Sequence, residues 1–356
     1  MGGPAGPSEG AGCFLNRIKR LAIIGAGSMG TLLGARLSQQ GVDVHLADVS
    51  PALVEAINRN GLKAKGSVWI KAPASASLPE ELPGGFGLIV LLTKQTHNQA
   101  VLPLLRSRLS PDGVVVTMQN GYPEPALAEE LGVDRVLGCA VTWAATLEAP
   151  GVTCATTGPE SWHNSLGRID GRITAQMLAV REVLSLMCPT QAVTNLEGIR
   201  WSKLLVNCAF SGMSAALGCT FGQVLENPEA LRCAQYIARE CILTARASGV
   251  SLEPLAEGED FDRLMYFAHE ADRDRTTPIF QKLFRASALG KASMLQDLER
   301  GVPTEVDYIN GYVCRAARAA GVQAPYCSAV VDIVKSIEAG QRTANIYNLA
   351  LFPAIV

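Results

Sequence analysis

The sequence predicts an α/β protein in two parts: an N-terminal doubly wound parallel sheet over residues 19–195, then an all-helical domain over residues 196–356, with residues 1–18 as a flexible arm. Three observations predict it. From Arg20 to about Asn195, short β-like runs alternate with helix-like stretches, as parallel strands and their crossover helices do. Beyond Asn195 the apolar residues recur at helical spacing. The length of 356 residues exceeds the usual single-domain size, and an apolar content of 48% is ample for two cores.

In order along the chain, residues 1–12 are Gly/Pro/Ala/Ser-rich without the apolar core of a signal peptide, which reads as a disordered arm. LAII at 21–24 is the first strand and the stretch TLLGARLSQQ after it a helix. VDVHLAD at 42–48 is the second strand, PALVEAINRNG at 51–61 a helix ending at a glycine cap, FGLIVLLTK at 86–94 a buried strand and GVVVTMQNG at 113–121 another. Arg135 to Asp170 reads as β-rich and antiparallel, punctuated by Pro150-Gly151 and Gly167. IRWSKLLVNCAFSGMSAALG, PEALRCAQYIARECILTARASGV and EVDYINGYVCRAARAAGV then carry helical periodicity.

The first strand runs directly into Gly25-x-Gly27-x-x-Gly30, with Ser28 and Met29 between the last two glycines. Gly25 permits the tight turn, Gly27 lets phosphate oxygens approach backbone N–H groups, and Gly30 lets the next helix pack closely. The positive end of that helix faces the anion. Strand, glycine pattern and helix in this order predict a Rossmann-type dinucleotide-binding domain. In such sheets the ligand lies at the carboxyl ends of the strands, so a helical domain packed there closes a cleft over the nicotinamide.

A formal charge of −2 gives no basic footprint, which argues against nucleic-acid and membrane-surface partners and leaves small-molecule chemistry. The ten cysteines form no CxxC and several lie in apolar runs as small hydrophobes, which predicts a reducing, cytoplasmic setting. The four histidines, His45, His97, His163 and His269, are too widely separated for paired metal-ligand spacing, so no metal is expected. No apolar stretch approaches the length of a membrane span. The apolar helices of the second part offer a homodimer surface, although core packing explains the same residues.

Asp48 ends the second strand, 23 positions after Gly25, where a carboxylate accepts from ribose hydroxyls and repels a 2′-phosphate, favouring NAD(H). The alternative is an Asp capping the next helix, with Ser50 as a competing cap. Lys94 stands at the carboxyl edge after the buried strand, either as a cofactor contact or as a solvated lysine; contact with a 2′-phosphate would weaken the case for NAD(H). Asn120-Gly121 is first a turn signal, with an Asn120 amide donating to substrate or nicotinamide as the functional alternative. Lys203 and Asn207 lie four apart on an apolar helix, and Ser211 continues that line. A desolvated lysine has a depressed pKa and suits proton donation during carbonyl reduction; otherwise Lys203 snorkels to solvent. Ser293 and Glu305 flank SMLQDLERGVPTE, where Glu305 opens a helix-like segment and Thr304 is a candidate cap.

Together these segments resemble the ketopantoate reductases (2-dehydropantoate 2-reductases) and their 2-oxo acid reductase relatives. The resemblance covers nearly the whole chain after the arm: GAGSMG at 25–30, T-K-Q at 93–95, Q-N-G at 119–121, W-x-K-L-x-x-N at 201–207, and SMLQDLERGVPTEVDYINGYV at 293–313, the most specific of these. K-x-x-x-N alone also occurs in related 3-hydroxyacid dehydrogenases. The resemblance implies Lys203 as proton donor to the ketone, Glu305 as its acidic partner or a contact to a substrate hydroxyl, and Asn207, Ser293 and Asn120 as substrate contacts. It further implies Lys94 near the adenosine, with Asn120 and Glu305 also at the cofactor. Two departures stand out. Ser211, a further substrate-binding position, replaces a second asparagine carried by many members, so that a contact to the distal part of the substrate is shortened or lost, and Asp48 occupies the neighbourhood of an arginine that many use for the NADP 2′-phosphate. The expected function is NAD(P)H-dependent reduction of a 2-oxo acid, ketopantoate first. The alternatives are a relative acting on a bulkier or aromatic 2-oxo acid with NAD(H), and a non-catalytic dinucleotide sensor.

Overall fold

Alternation with a period of two makes the first strand. In β1 (Arg20–Ile24), Leu21 and Ile23 join one apolar cluster and Ala22 and Ile24 another, so the strand is covered on both faces. The computed structural model describes residues 18, 20–255, 260–285 and 288–354; apart from Ile18, the expected arm lies outside the described residues, as does Cys13. The chain divides into two compact units. Unit 1 reaches Gln119 and resumes over Pro123–Leu196, and unit 2 takes Asn120–Tyr122 and the chain from Glu197 onward.

In unit 1, β1 is followed by α1 (Ser28–Gln39), β2 (Asp43–Ala47), α2 (Pro51–Asn60), β3 (Leu62–Gly66), β4 (Ile70–Ala72), β5 (Ser75–Ser77), β6 (Phe86–Leu91), α3 (Asn98–Arg108) and β7 (Leu109–Thr117). Then come α4 (Glu124–Leu131), β8 (Val136–Val141), β9 (Ala145–Ala149), β10 (Val152–Ala155), β11 (Asn164–Gly167), α5 (Ala175–Ser185) and β12 (Thr190–Val193). Eight strands form the main sheet in the order β12-β11-β8-β7-β6-β1-β2-β5. From β5 to β8 the neighbours are parallel. The chain moves outward from β1 through β2 to β5 and then crosses to β6 on the other side of β1, which makes the β1/β6 edge a topological switch point. Leucines and valines of α3 and α4 cover one face, while α1, α2 and α5 cover the other.

A second sheet, β4-β3-β10-β9, packs on α1, so that helix is enclosed between two sheets. Its residues Gly30–Ala35 and Leu37 are accordingly buried. The Arg135–Asp170 stretch is only partly antiparallel. β8 follows the crossover helix α4 and runs parallel to β7, as such connections require, and β10 pairs parallel with β3; only the β9/β10 and β8/β11 pairs are antiparallel.

Unit 2 is helical: α6 (Leu196–Val206), a π turn at Asn207–Ser211, α7 (Gly212–Leu217), α8 (Phe221–Glu226), α9 (Pro228–Ala247), α10 (Phe261–Met265), α11 (Thr277–Phe284), α12 (Ser293–Glu299), α13 (Asn310–Ala319) and α14 (Pro325–Glu338). Two expectations are corrected here. The line from Lys203 to Ser211 does not stay on one α-helix, because the backbone widens to i→i+5 bonding at Asn207, with Gly212 N–H donating to Asn207 O. Nor does Glu305 open a helix. Thr304 Oγ1 accepts the Val306 N–H and donates to Glu338, which holds a short 3-10 turn at Val306–Tyr308, and α13 begins only at Asn310. The described cysteines are free, and burial pushes the thiols of Cys188 and Cys233 up to about 12, so they behave as small hydrophobes. Among the described residues, no helix is long and apolar enough to cross a membrane.

Glu240, on the 20-residue α9, is 4% exposed and accepts the N–H groups of Tyr326 and Cys327 in the first turn of α14, each at 2.8 Å. These are donors that the helix itself leaves unmet. Burial nevertheless pushes the carboxyl up to about 7 against these bonds. Because the folded pKa lies above the ordinary value of 4.5, the fold binds the proton more tightly. Stability therefore falls as pH rises from about 4.5 to about 7 and stays lowered above that. Glu240→Gln is expected to remove roughly 2–3 kcal/mol of the wild-type decline between about pH 5 and about pH 8, read from urea midpoints of both proteins.

Candidate functional site

In unit 1 the end of β1 leads into Gly25, whose φ of 100° suits glycine; its N–H donates to Ala47 O at 2.9 Å, and an added Cβ would stand 2.9 Å from the Leu92 carbonyl carbon and the Thr93 nitrogen. A Cβ on Gly30 would fall 2.0 Å from Gly25 O, so α1 packs against the turn only because Gly30 lacks one. Around Gly27 the situation reverses, since a Cβ there would meet nothing within 4 Å. Gly27 heads α1 without any side-chain cap, so the first N–H groups, of Ser28, Met29 and Gly30, have no carbonyl within the helix. A pyrophosphate matches this open cradle in shape, in acceptors and in charge.

Asp48 follows β2 and is tied to the same loop. Its Oδ2 accepts the Ala26 N–H at 2.9 Å and its Oδ1 the Ser50 N–H at 3.0 Å, while Ser50 Oγ, not Asp48, caps α2 through Leu53 N–H. The carboxylate thus braces the phosphate loop and keeps lone pairs for a ribose. Lys94 lies half-buried just beyond β6, heading the short turn Gln95–His97. Two residues that sequence reasoning passed over stand at this edge. Thr93 Oγ1 is buried without a hydrogen-bond partner beside the Gly25 turn. Gln119 Nε2 donates to Thr93 O at 2.9 Å and to Asn98 Oδ1 at 2.7 Å, tying the ends of β6 and β7 together. Thr93 opens T-K-Q and Gln119 opens Q-N-G, motifs singled out for Lys94 and Asn120 alone, and the carboxyl-edge rule was the signal for these two neighbours.

In unit 2, Tyr312 gathers three segments. Its ring is 5.7 Å from Trp201 on α6 and 5.9 Å from Tyr122. Lys203 stands two residues beyond Trp201, Asn120 two before Tyr122, and Glu305 is 7% exposed just ahead of the turn leading into α13, which carries Tyr312. Burial raises the Glu197 carboxyl above its ordinary value, against a hydrogen bond from Tyr122 that lowers it. Lys203 is half-buried, and Asn207 one turn on has its Nδ2 buried with no protein partner. Ser211 is half-buried at the far end of the π turn. Ser293 belongs to a different group: it is exposed at the head of α12, a helix packed on the π turn and α7. Among the described residues, no group of three or more His, Cys, Asp or Glu is arranged to hold a metal ion.

The family model described as Ketopantoate reductase PanE/ApbA matches residues 21–166, and its counterpart for the C terminal matches residues 195–338. The 2-dehydropantoate 2-reductase of Archaeoglobus fulgidus is 27% identical over 328 residues, 91% of this chain and 99% of its own length. That of Pyrococcus abyssi is 29% identical over 330 residues, 90% of this chain and 98% of its own. Among solved structures, a ketopantoate reductase of this family from Ralstonia eutropha aligns with a TM-score of 0.76 at 24% identity, covering 91% of this chain and 100% of that one. A complex of D-mandelate dehydrogenase with NADH aligns with a TM-score of 0.75 at 25% identity, covering 91% and 100%. Matched in both units by the two models of one family, and over about nine-tenths of its length by reductases that bear the family's name, this chain belongs to the ketopantoate reductases.

Proposed function

We propose that this NAD(P)-dependent oxidoreductase reduces a 2-oxo acid to the 2-hydroxy acid using NADH, with ketopantoate as the leading substrate. The open cradle at Gly27 and the N–H groups of Ser28, Met29 and Gly30 hold the pyrophosphate, Asp48 accepts from the adenosine ribose, and Lys94 lies against the adenosine. Hydride is the chemistry a reduced nicotinamide supplies when bound there. Lys203 gives a proton from Nζ to the ketone oxygen, which becomes the new hydroxyl. Glu305 orients Lys203, while Asn207, Ser293 and Asn120 hold the acid by hydrogen bonds. The observation that carries this reading is the buried Asn207 Nδ2, a donor with no protein acceptor one helical turn from Lys203. An unmet buried donor is costly, and a substrate oxygen would satisfy it.

NADH is favoured because Asp48 is braced by the loop through Ala26 N–H and cannot swing away from a 2′-phosphate without releasing that bond. A second reading, a bulkier or aromatic 2-oxo acid, draws on two observations. Ser211 is shorter than the asparagine it replaces, and D-mandelate dehydrogenase with NADH is among the similar structures. Steady-state turnover of a panel of 2-oxo acids, each with NADH and NADPH, tests both. We expect ketopantoate with NADH to give the highest kcat/KM. A higher value for an aromatic acid replaces the substrate, preference for NADPH removes the Asp48 argument, and dinucleotide binding without any turnover leaves a sensor.

A further inference from the structure

We infer that Asn310 is a positioning residue that holds the π turn at Asn207–Ser211 and thereby aligns the substrate-holding side chains with Lys203; this rests on the functional reading above. The turn is built into an otherwise continuous run of helical backbone, from Val206 at φ −59° and ψ −46° to Gly212 at φ −61° and ψ −50°. Widening to i→i+5 disturbs the ladder of α-helical bonds, so a π turn needs support from outside the helix. Here the Cys208 carbonyl accepts from Asn310 Nδ2 at 3.3 Å, and both residues are fully buried. Asn310 is the first residue of α13 and follows a turn in which Glu305 O accepts the N–H groups of Tyr308 and Ile309. A single side chain therefore links the segment carrying Glu305 to the helix carrying Lys203, Asn207 and Ser211.

Two further observations fit this role and not simple packing. Asn310 Oδ1 has no partner, so the amide is retained with one end unmet; an apolar side chain of similar shape would avoid that cost, and only the donor to Cys208 accounts for it. Room for the amide comes from Gly212, where an added Cβ would sit 2.8 Å from Asn310 Oδ1 and 3.0 Å from Val330 Cγ1. The consequence is angular. Four residues of α-helix overshoot a full turn by about 40°, so Asn207 is rotated past Lys203. Four residues of a wider π turn fall short of a full turn, so Ser211 is rotated back toward the Lys203 direction. With an α-helix throughout, the two offsets would add and Ser211 would leave that face.

Asn310→Leu keeps the bulk and removes the donor. Its KM for the 2-oxo acid is expected to rise about tenfold or more, since small misplacements of positioning groups carry such penalties, with the NADH dissociation constant unchanged by nicotinamide fluorescence. In a Ser211→Ala background the same change should add much less, because the turn acts on the substrate through the direction of Ser211. Gly212→Ala, which pushes on Asn310 from the other side, should reproduce the KM effect. A crystal structure of Asn310→Leu should show Asn207 O bonded to Ser211 N–H in place of Gly212 N–H. An intact π turn in that structure, or a KM effect that multiplies undiminished in the Ser211→Ala background, overturns the inference. Should the wild-type protein turn over no 2-oxo acid, the functional reading fails, and the hold of Asn310 on the turn is decided by that structure alone.

Discussion

Lys203→Ala is expected to lower kcat by about 10²–10⁴-fold, the range over which a positioned proton donor contributes. The dissociation constant for NADH should stay within about twofold of wild type, because the contacts proposed for the pyrophosphate, ribose and adenosine, the glycine loop, Asp48 and Lys94, belong to unit 1 and Lys203 to unit 2. Reduction leaves an alkoxide on the former carbonyl carbon unless a proton arrives with the hydride, and water would have to supply it in the variant. KM for the acid should change less than kcat, since the donor acts mainly as charge develops on oxygen. Stopped-flow hydride transfer and equilibrium titration of NADH separate these quantities. Turnover at the wild-type rate would remove Lys203 from the proposed chemistry.

Gly30→Ala is expected to abolish measurable NADH binding and to destabilise the fold by about 1–3 kcal/mol, the usual cost of overpacking. Its Cβ would fall 2.0 Å from Gly25 O, and α1 cannot retreat because β3, β4, β9 and β10 pack on it from the far side. Gly27→Ala supplies the contrast. Gly27 has φ −65° and open space around an added methyl, so stability should hold while that methyl fills the cradle and weakens NADH binding by roughly tenfold or more, or about 1.4 kcal/mol. Thermal unfolding and fluorescence titration of the two variants check the pair. Equal behaviour in both measurements would show that the three glycines do not divide the work between folding and binding.

The glycine loop is legible in the sequence because each glycine answers a local backbone demand that can be stated without knowing the rest of the fold. Asp48 is legible for the same reason, as the acid at the end of the next strand, although its bond to Ala26 N–H is a tertiary fact. The helix over Pro51–Asn60 carries its own start and stop, Ser50-Pro51 and Gly61 at φ 68°. The second sheet escapes notice because β3, LKAKG, and β4, IKA, are short and carry lysines at alternate positions, so they read as polar linker until α1 is placed beneath them. The π turn is equally silent. VNCAFS has ordinary helical residues, and what widens it is an amide from Asn310, a hundred positions further on. Glu305 is found by motif while its conformation is not, since Glu338 shapes that turn from another helix.

The enclosure of α1 between two sheets bears on how tightly an anion is held. A glycine-rich loop free to wander would have to be frozen by each incoming ligand, and that lost freedom would be subtracted from affinity every time. Here Thr153 Oγ1, on β10, lies 3.1 Å from Ser28 O in the first turn of α1, and Asp48 grips Ala26 N–H from the opposite side. The loop's conformational entropy is thus surrendered once, when the chain folds, and the receptor meets its ligand already shaped.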